Sequence, residues 1–75
     1  MYKQIFAERL LKARKDANMT QREAAERINI GQPKMSKLEN GTQEPDIEML
    51  GQLAELYEVS TDWLLGIGKK KDKEQ

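Results

Sequence analysis

The chain has 75 residues, 13 Lys and Arg balanced by 13 Asp and Glu, and neither His nor Cys. That composition excludes a disulfide framework, a thiolate or imidazole metal site, a thiol nucleophile and a Ser-His-Asp triad. No apolar run approaches the ~20 residues that cross a bilayer, and Met1-Tyr2-Lys3-Gln4 opens no secretory signal, so one soluble, cytoplasmic domain without a membrane role is expected.

The elements follow in chain order. Leu, Ala, Met, Glu, Lys, Gln and Arg dominate and aromatic residues make up 5%, which predicts an all-α fold. The first helix is expected over about 2–18, with Phe6, Leu10, Ala13 and Ala17 on one face and Lys3, Arg9, Lys12 and Lys15 on the other. Thr20-Gln21-Arg22-Glu23 fits a capping box that opens a second helix. Ala24, Ala25 and Ile28 form its narrow apolar stripe, and Asn29 supplies a left-handed stop. Ile30 dips back into the core. Gly31 then caps a third helix over about 32–40, with Pro33 in the first turn, where a missing N–H does little harm. Met35 and Leu38 point inward, and Asn40-Gly41 ends the helix. Asp46 caps a fourth helix whose buried face is expected to hold Ile47, Leu50, Ala54 and Tyr57, with Leu53 beside them. Gly51 costs about 1 kcal/mol in mid-helix relative to Ala, which suggests close packing there. Ser60 caps a short fifth helix anchored by Trp63, Leu64 and Leu65 and ended by Gly66. Residues 1–66 read as one domain and 67–75 as a charged, disordered tail.

Helices two and three are joined by about three residues, Asn29-Ile30-Gly31. So short a turn with an inward Ile forces a steep crossing, the helix-turn-helix, whose second helix can enter a DNA major groove. With Met35, Leu38 and Glu39 inward, the outward face of helix three holds Pro33, Ser36, Lys37 and Asn40, flanked by Gln32 and Lys34. It carries no acid and no large hydrophobe, which suits base edges and phosphates; a plain solvated helix face is the alternative. Charge is also uneven along the chain. Residues 1–20 carry Lys3, Arg9, Lys12, Arg14 and Lys15 against Glu8 and Asp16, whereas 42–60 carry Glu44, Asp46, Glu48, Glu55 and Glu58 with no base. Such a molecule is basic in front and acidic behind.

Three blocks carry a family resemblance: Met19-Thr20-Gln21-Arg22-Glu23-Ala24-Ala25-Glu26-Arg27-Ile28, then Met35-Ser36-Lys37-Leu38-Glu39-Asn40-Gly41, then Val59-Ser60-Thr61-Asp62-Trp63-Leu64-Leu65. In order and spacing the chain resembles the lambdoid phage repressor and Cro (Xre-like) helix-turn-helix family over about residues 5–66. The resemblance implies a five-helix, lambda-repressor-like DNA-binding domain that binds a palindromic double-stranded operator as a homodimer, at least on DNA. It further implies a transcriptional repressor of phage or mobile-element type, with no enzymatic activity, cofactor or metal. By position, Gln32, Pro33 and Lys37 match base-reading sites, and Thr20, Gln21, Lys34, Ser36, Asn40 and Thr42 match DNA-backbone sites. Several of these have a second reading. Lys37 can take guanine O6 and N7 or a phosphate, Pro33 can touch a thymine methyl or only stiffen the helix start, and Asn40 can serve only as a helix stop. Arg14 and Glu39 match a structural ion pair that links helix one to the end of helix three.

The sequence departs from the family pattern in places. Ala13 and Ala24 stand where Leu is usual, Gly31 replaces a Ser or Thr cap, and Pro33 replaces a polar base reader. The alternative function is an antitoxin-like protein-interaction module, served by the acidic fourth helix and by Tyr57 or Trp63 if these are exposed.

Overall fold

The computed structural model describes residues 1–67; beyond Ile67, the tail expected over 67–75 lies outside them. Five helices follow in order: α1 (Tyr2–Asp16), α2 (Gln21–Arg27), α3 (Gln32–Asn40), α4 (Ile47–Tyr57) and α5 (Thr61–Leu64). α1 packs on α3 and α5, α2 packs on α3, and α4 packs on α5. Phe6, Leu10, Met35, Leu38, Leu53, Val59 and Leu64 form the fully buried centre.

Side-chain caps start three of the helices. The Thr20 hydroxyl accepts from the Glu23 N–H at 3.0 Å while the Glu23 carboxylate accepts from the Thr20 N–H at 2.8 Å, which completes the capping box. Asp46 and Ser60 cap α4 and α5 by accepting from Met49 and Trp63 N–H groups. A single device ends every helix. Asn18, Asn29, Gly41, Glu58 and Gly66 all have positive φ, and the residue after each donates its N–H back to the helix's last turn. In the α2–α3 turn, Ile30 donates to the Ala25 carbonyl at 3.0 Å and Asn29 donates to Glu26 at 3.2 Å. This pairing satisfies carbonyls that would otherwise lack partners and turns the chain sharply. Ile30 packs partly buried against the core, so the steep turn and the buried Ile occur together.

The fold corrects four expectations. α1 ends at Asp16, and Ala17 is exposed because left-handed Asn18 turns the chain away; Ala7 takes a buried place instead. On α4 the buried face is Met49, Leu53, Ala54 and Tyr57, with Leu50 only partly buried. Ile47 is 89% exposed. As the first helical residue after the Asp46 cap, it lies where the helix emerges from the loop, short of the core. Gly51 has no close packing around it: a Cβ built there meets nothing within 4 Å. Arg9, read as a solvent-facing base, is half-buried over α5. Its Nη1 donates to the Trp63 carbonyl at 2.8 Å and its guanidinium lies 4.9 Å from the Trp63 ring centroid. It therefore clamps α5 to α1 by a hydrogen bond and a cation–π contact.

Two glycines give opposite predictions. Gly51→Ala replaces an exposed mid-helix glycine in open space and should stabilise by about 0.5–1 kcal/mol, seen as a melting temperature raised by a few degrees. At Gly66 φ is +76° and a Cβ would lie 2.7 Å from Ile5 Cγ2. Gly66→Ala should lower the melting temperature, and both changes are read by thermal circular dichroism.

Candidate nucleic-acid interface

The site begins with a buried charge pair. Arg14 on α1 meets Glu39 on α3 with two parallel bonds, Nε to Oε2 at 2.7 Å and Nη2 to Oε1 at 3.1 Å. The two side chains are 13% and 4% exposed. The third guanidinium nitrogen, Nη1, donates to the Met19 carbonyl at 2.9 Å, so Arg14 also fixes the chain just before α2. A bidentate guanidinium–carboxylate pair is geometrically specific as well as strong. The hydrogen bond to Glu39 raises the Arg14 pKa further above its ordinary value, against the opposing effect of burial.

The pair reaches the outer surface through two amides. Gln21, first residue of α2, donates from Nε2 to Glu39 Oε1 at 3.0 Å. Its Oε1 in turn accepts from Gln32 Nε2 at 3.4 Å. Gln32 is the first residue of α3 and is exposed. A continuous polar chain thus runs from α1 through the end of α3 to the start of α2 and out to the start of α3. Sequence reading placed Arg14 with Glu39; it did not place Gln21 against Glu39 or Gln32, because side-chain direction across two helices is not visible in spacing.

Around this chain the structure gathers the other positions read from sequence. Gln32, Pro33, Lys37 and Asn40 are exposed along one side of α3, and Lys34 and Ser36 are half-buried beside them. Thr20 is exposed at the start of α2 and Thr42 just after α3. Asn40 Oδ1 accepts from the Thr42 N–H at 3.1 Å and from its hydroxyl at 2.8 Å, so Asn40 shapes the turn after α3 whatever else it does. The acids near this face are committed elsewhere: Glu39 to Arg14 and Gln21, Glu23 to the Thr20 cap, and Glu26 to Arg22 at 3.4 Å. Lys34 and Lys37 leave the outward face of α3 positive. The acids of 44–58 are exposed on the loop before α4 and on α4 itself.

Tyr57 and Trp63 are each only 8% exposed, because α4 and α5 pack their aromatic faces inward. Neither is available as an anchor for a protein partner, which removes the aromatic support for an interaction module. The Tyr57 hydroxyl is buried without a hydrogen-bond partner. Burial, reinforced by the nearby Glu39 charge and opposed by Arg14, pushes its pKa up from 10.0 to about 12. Among the described residues, no helix is long and apolar enough to cross a membrane.

Comparison with known proteins identifies the family. The helix-turn-helix family profile matches residues 10–64. The chain is 44% identical over 70 residues to the HTH-type transcriptional regulator ImmR of Bacillus subtilis, covering 89% of this chain and 55% of that protein. It is 38% identical over 61 residues to the SPbeta prophage-derived uncharacterised HTH-type transcriptional regulator YonR of the same organism, covering 81% and 56%. Against the uncharacterised HTH-type regulator YqaE the identity is 36% over 61 residues, covering 81% and 53%. The chain spans about half the length of these relatives.

Two predictions rest on the polar chain and its neighbour. Arg14→Ala or Glu39→Ala leaves a buried charge without its partner and should cost about 3–5 kcal/mol, seen as a large drop in melting temperature; an unchanged melt would refute the buried pair. Tyr57→Phe should leave stability at pH 7 unchanged or raised, since it removes a hydroxyl that was desolvated without a bond. The same residue gives a pH effect. Unfolded tyrosine titrates near 10 and folded Tyr57 near 12, so between these values the folded state holds more protons. Stability therefore falls as pH rises from about 10 to about 12. Melting curves at pH 7 and 11 should show a larger alkaline loss in the wild type than in Tyr57→Phe.

Proposed function

This chain belongs to the Xre-like helix-turn-helix family, and from that premise we propose that it is a sequence-specific DNA-binding transcriptional regulator, a repressor of phage or mobile-element type. The observation that carries the reading is the outward face of α3: exposed, free of acids, and begun by a Gln32 whose amide is tethered through Gln21 to the buried Glu39. A side chain held before contact loses less rotamer freedom on binding. The relation to a prophage-derived regulator supports the phage-type assignment.

In this reading residues 1–66 are the DNA-binding domain and α3 lies in the major groove. Gln32 offers its amide to adenine N6 and N7, and Lys37 reaches guanine O6 and N7. Pro33 contributes an apolar contact suited to a thymine methyl. Thr20, Gln21, Lys34, Ser36, Asn40 and Thr42 flank this line and bind the DNA backbone, which sets register without reading sequence. Arg14 and Glu39 do not touch DNA; they hold α3 at the angle that the groove requires. Two copies on a palindromic operator would present their α3 helices about 34 Å apart, and occupancy of a promoter would exclude polymerase. The exposed acids of α4 are repelled by phosphate and favour the orientation with α3 toward DNA.

Selection of binding sites from a random duplex library tests this directly, with wild type beside Gln32→Ala and Lys37→Ala. The expected result is a two-fold symmetric motif in which each substitution relaxes its own base position, at a cost of about 1–3 kcal/mol per lost bidentate contact. Absence of any enriched motif from protein that circular dichroism shows to be folded would overturn the assignment.

A further inference from the structure

The asparagines of the chain are Asn18, Asn29 and Asn40. Asn18 and Asn29 are followed by Met19 and Ile30, whose side chains crowd the next peptide nitrogen. Asn40 is followed by Gly41, which has no side chain to crowd it. Asn40 is exposed and Gly41 half-buried, and even a Cβ built on Gly41 would meet only Ala7 Cβ, at 3.8 Å. The Asn40 side chain also reaches forward along the chain. Its Oδ1 accepts from the Thr42 N–H at 3.1 Å and from the Thr42 hydroxyl at 2.8 Å, an Asx turn that lays the carboxamide over the Gly41 peptide. The carboxamide carbon thus stands beside the Gly41 nitrogen, and its oxygen already holds two donors.

We propose that Asn40–Gly41 is a self-modifying site, at which Asn40 deamidates and so weakens the hold of the protein on DNA. The Gly41 N–H loses its proton to hydroxide and the nitrogen attacks Asn40 Cγ. Negative charge develops on Oδ1, where the Thr42 donors lie within the roughly 2.7–3.1 Å that stabilises an oxyanion. Nδ2 takes a proton from water and leaves as ammonia, closing a cyclic imide. Water then opens the imide, at one carbonyl to aspartate and at the other to isoaspartate. The net change consumes a water and releases an ammonia, with no oxidant or cofactor. One constraint opposes the step: the Gly41 and Thr42 N–H groups also donate to the Lys37 carbonyl. These bonds close the last turn of a helix, where fraying is common, so the reaction proceeds from a locally opened end and not from the unfolded chain.

The consequence rests on the DNA-binding reading proposed above. Lys34 and Lys37 are the bases of an outward face that has no acid, and deamidation sets a carboxylate beside them. A carboxylate cannot donate to a phosphate as the carboxamide Nδ2 does, and it is unfavourably placed at a helix C-terminus. Asn40 faces the DNA backbone in that reading, and backbone contacts carry no sequence information, so the loss applies to any duplex. One unit less of positive charge against the phosphates weakens binding about tenfold near 0.1 M salt.

The full chain is incubated at neutral and at mildly alkaline pH while released ammonia and the masses of peptides spanning each asparagine are followed. Conversion should occur at Asn40, with Asn18 and Asn29 intact, and should quicken as pH rises. Thr42→Val keeps the shape but removes the hydroxyl donor. It should slow conversion several-fold, well below the roughly hundredfold effect of such a donor in a water-excluded site. An Asn40 that survives as long as Asn18 and Asn29, or a Thr42→Val protein that reacts as fast as wild type or faster, would overturn the site. Binding is read separately on a short duplex of random sequence, with each protein shown to be folded by circular dichroism. Aged wild type and Asn40→Asp should bind about tenfold more weakly than fresh wild type. Asn40→Gln, which must close a larger ring that forms far more slowly, should lose nothing on ageing. Equal binding by fresh and converted protein would overturn the effect on DNA. Fresh protein that binds no duplex would overturn the DNA-binding reading itself, while the masses still decide the chemistry at Asn40.

Discussion

The Glu39 carboxylate is the point on which the arrangement of the first three helices depends. It is nearly fully buried, and a buried carboxylate is costly unless its oxygens are satisfied by a counter-charge and further donors. Here Arg14 supplies both charge and a two-bond fork, and Gln21 fills a further position on Oε1. Each donor comes from a different helix, so satisfying this one group fixes α1, α2 and α3 relative to each other. Apolar packing of Leu10, Met35 and Leu38 is non-directional and tolerates small rotations. The hydrogen-bonded pair does not, and it determines which side of α3 faces out.

That constraint reaches the surface by a short path. Gln21 stands between Glu39 and Gln32, and its amide is oriented by donating inward and accepting from outside. The first residue of α3 is thereby linked to the interior although it is itself exposed. A network whose members are satisfied stiffens its surroundings, so the start of α3 is held in place from within. The charges of Glu39 and Arg14 also bear on the ionisation of the orphaned Tyr57 hydroxyl, though burial is the larger cause of its raised pKa.

Much of this was legible in the sequence. The Thr20–Glu23 box, the Asn29 stop, the Gly41 stop and the Asp46 and Ser60 caps are local devices written in adjacent residues, and each is present in the structure. Helix faces were legible where the apolar spacing was unambiguous, as at Met35 and Leu38. They were not on α4, where Ile47, Met49, Leu50, Leu53 and Leu56 offer two overlapping stripes and the choice between them is made by tertiary packing. Glu58 could not be read as a helix stop, since only its context places a Glu in the left-handed region. Arg9 looked like any exposed base because its partners, the carbonyl and ring of Trp63, lie 54 positions away. The Gln21 bridge was hidden for the same reason: residue types suggest a role, but only packed helices set the direction of a side chain.

The central claim is that Arg14 and Glu39 act as one unit that fixes α3. A double-mutant cycle on the free energy of unfolding measures this most directly, using Arg14→Ala, Glu39→Ala and the combined protein. If each partner is costly partly because it strands the other, the combined substitution should be less damaging than the sum of the single ones, by a coupling of about 1–3 kcal/mol. Additivity within about 0.5 kcal/mol would mean that the two side chains act independently and that the orientation of α3 comes from apolar packing alone.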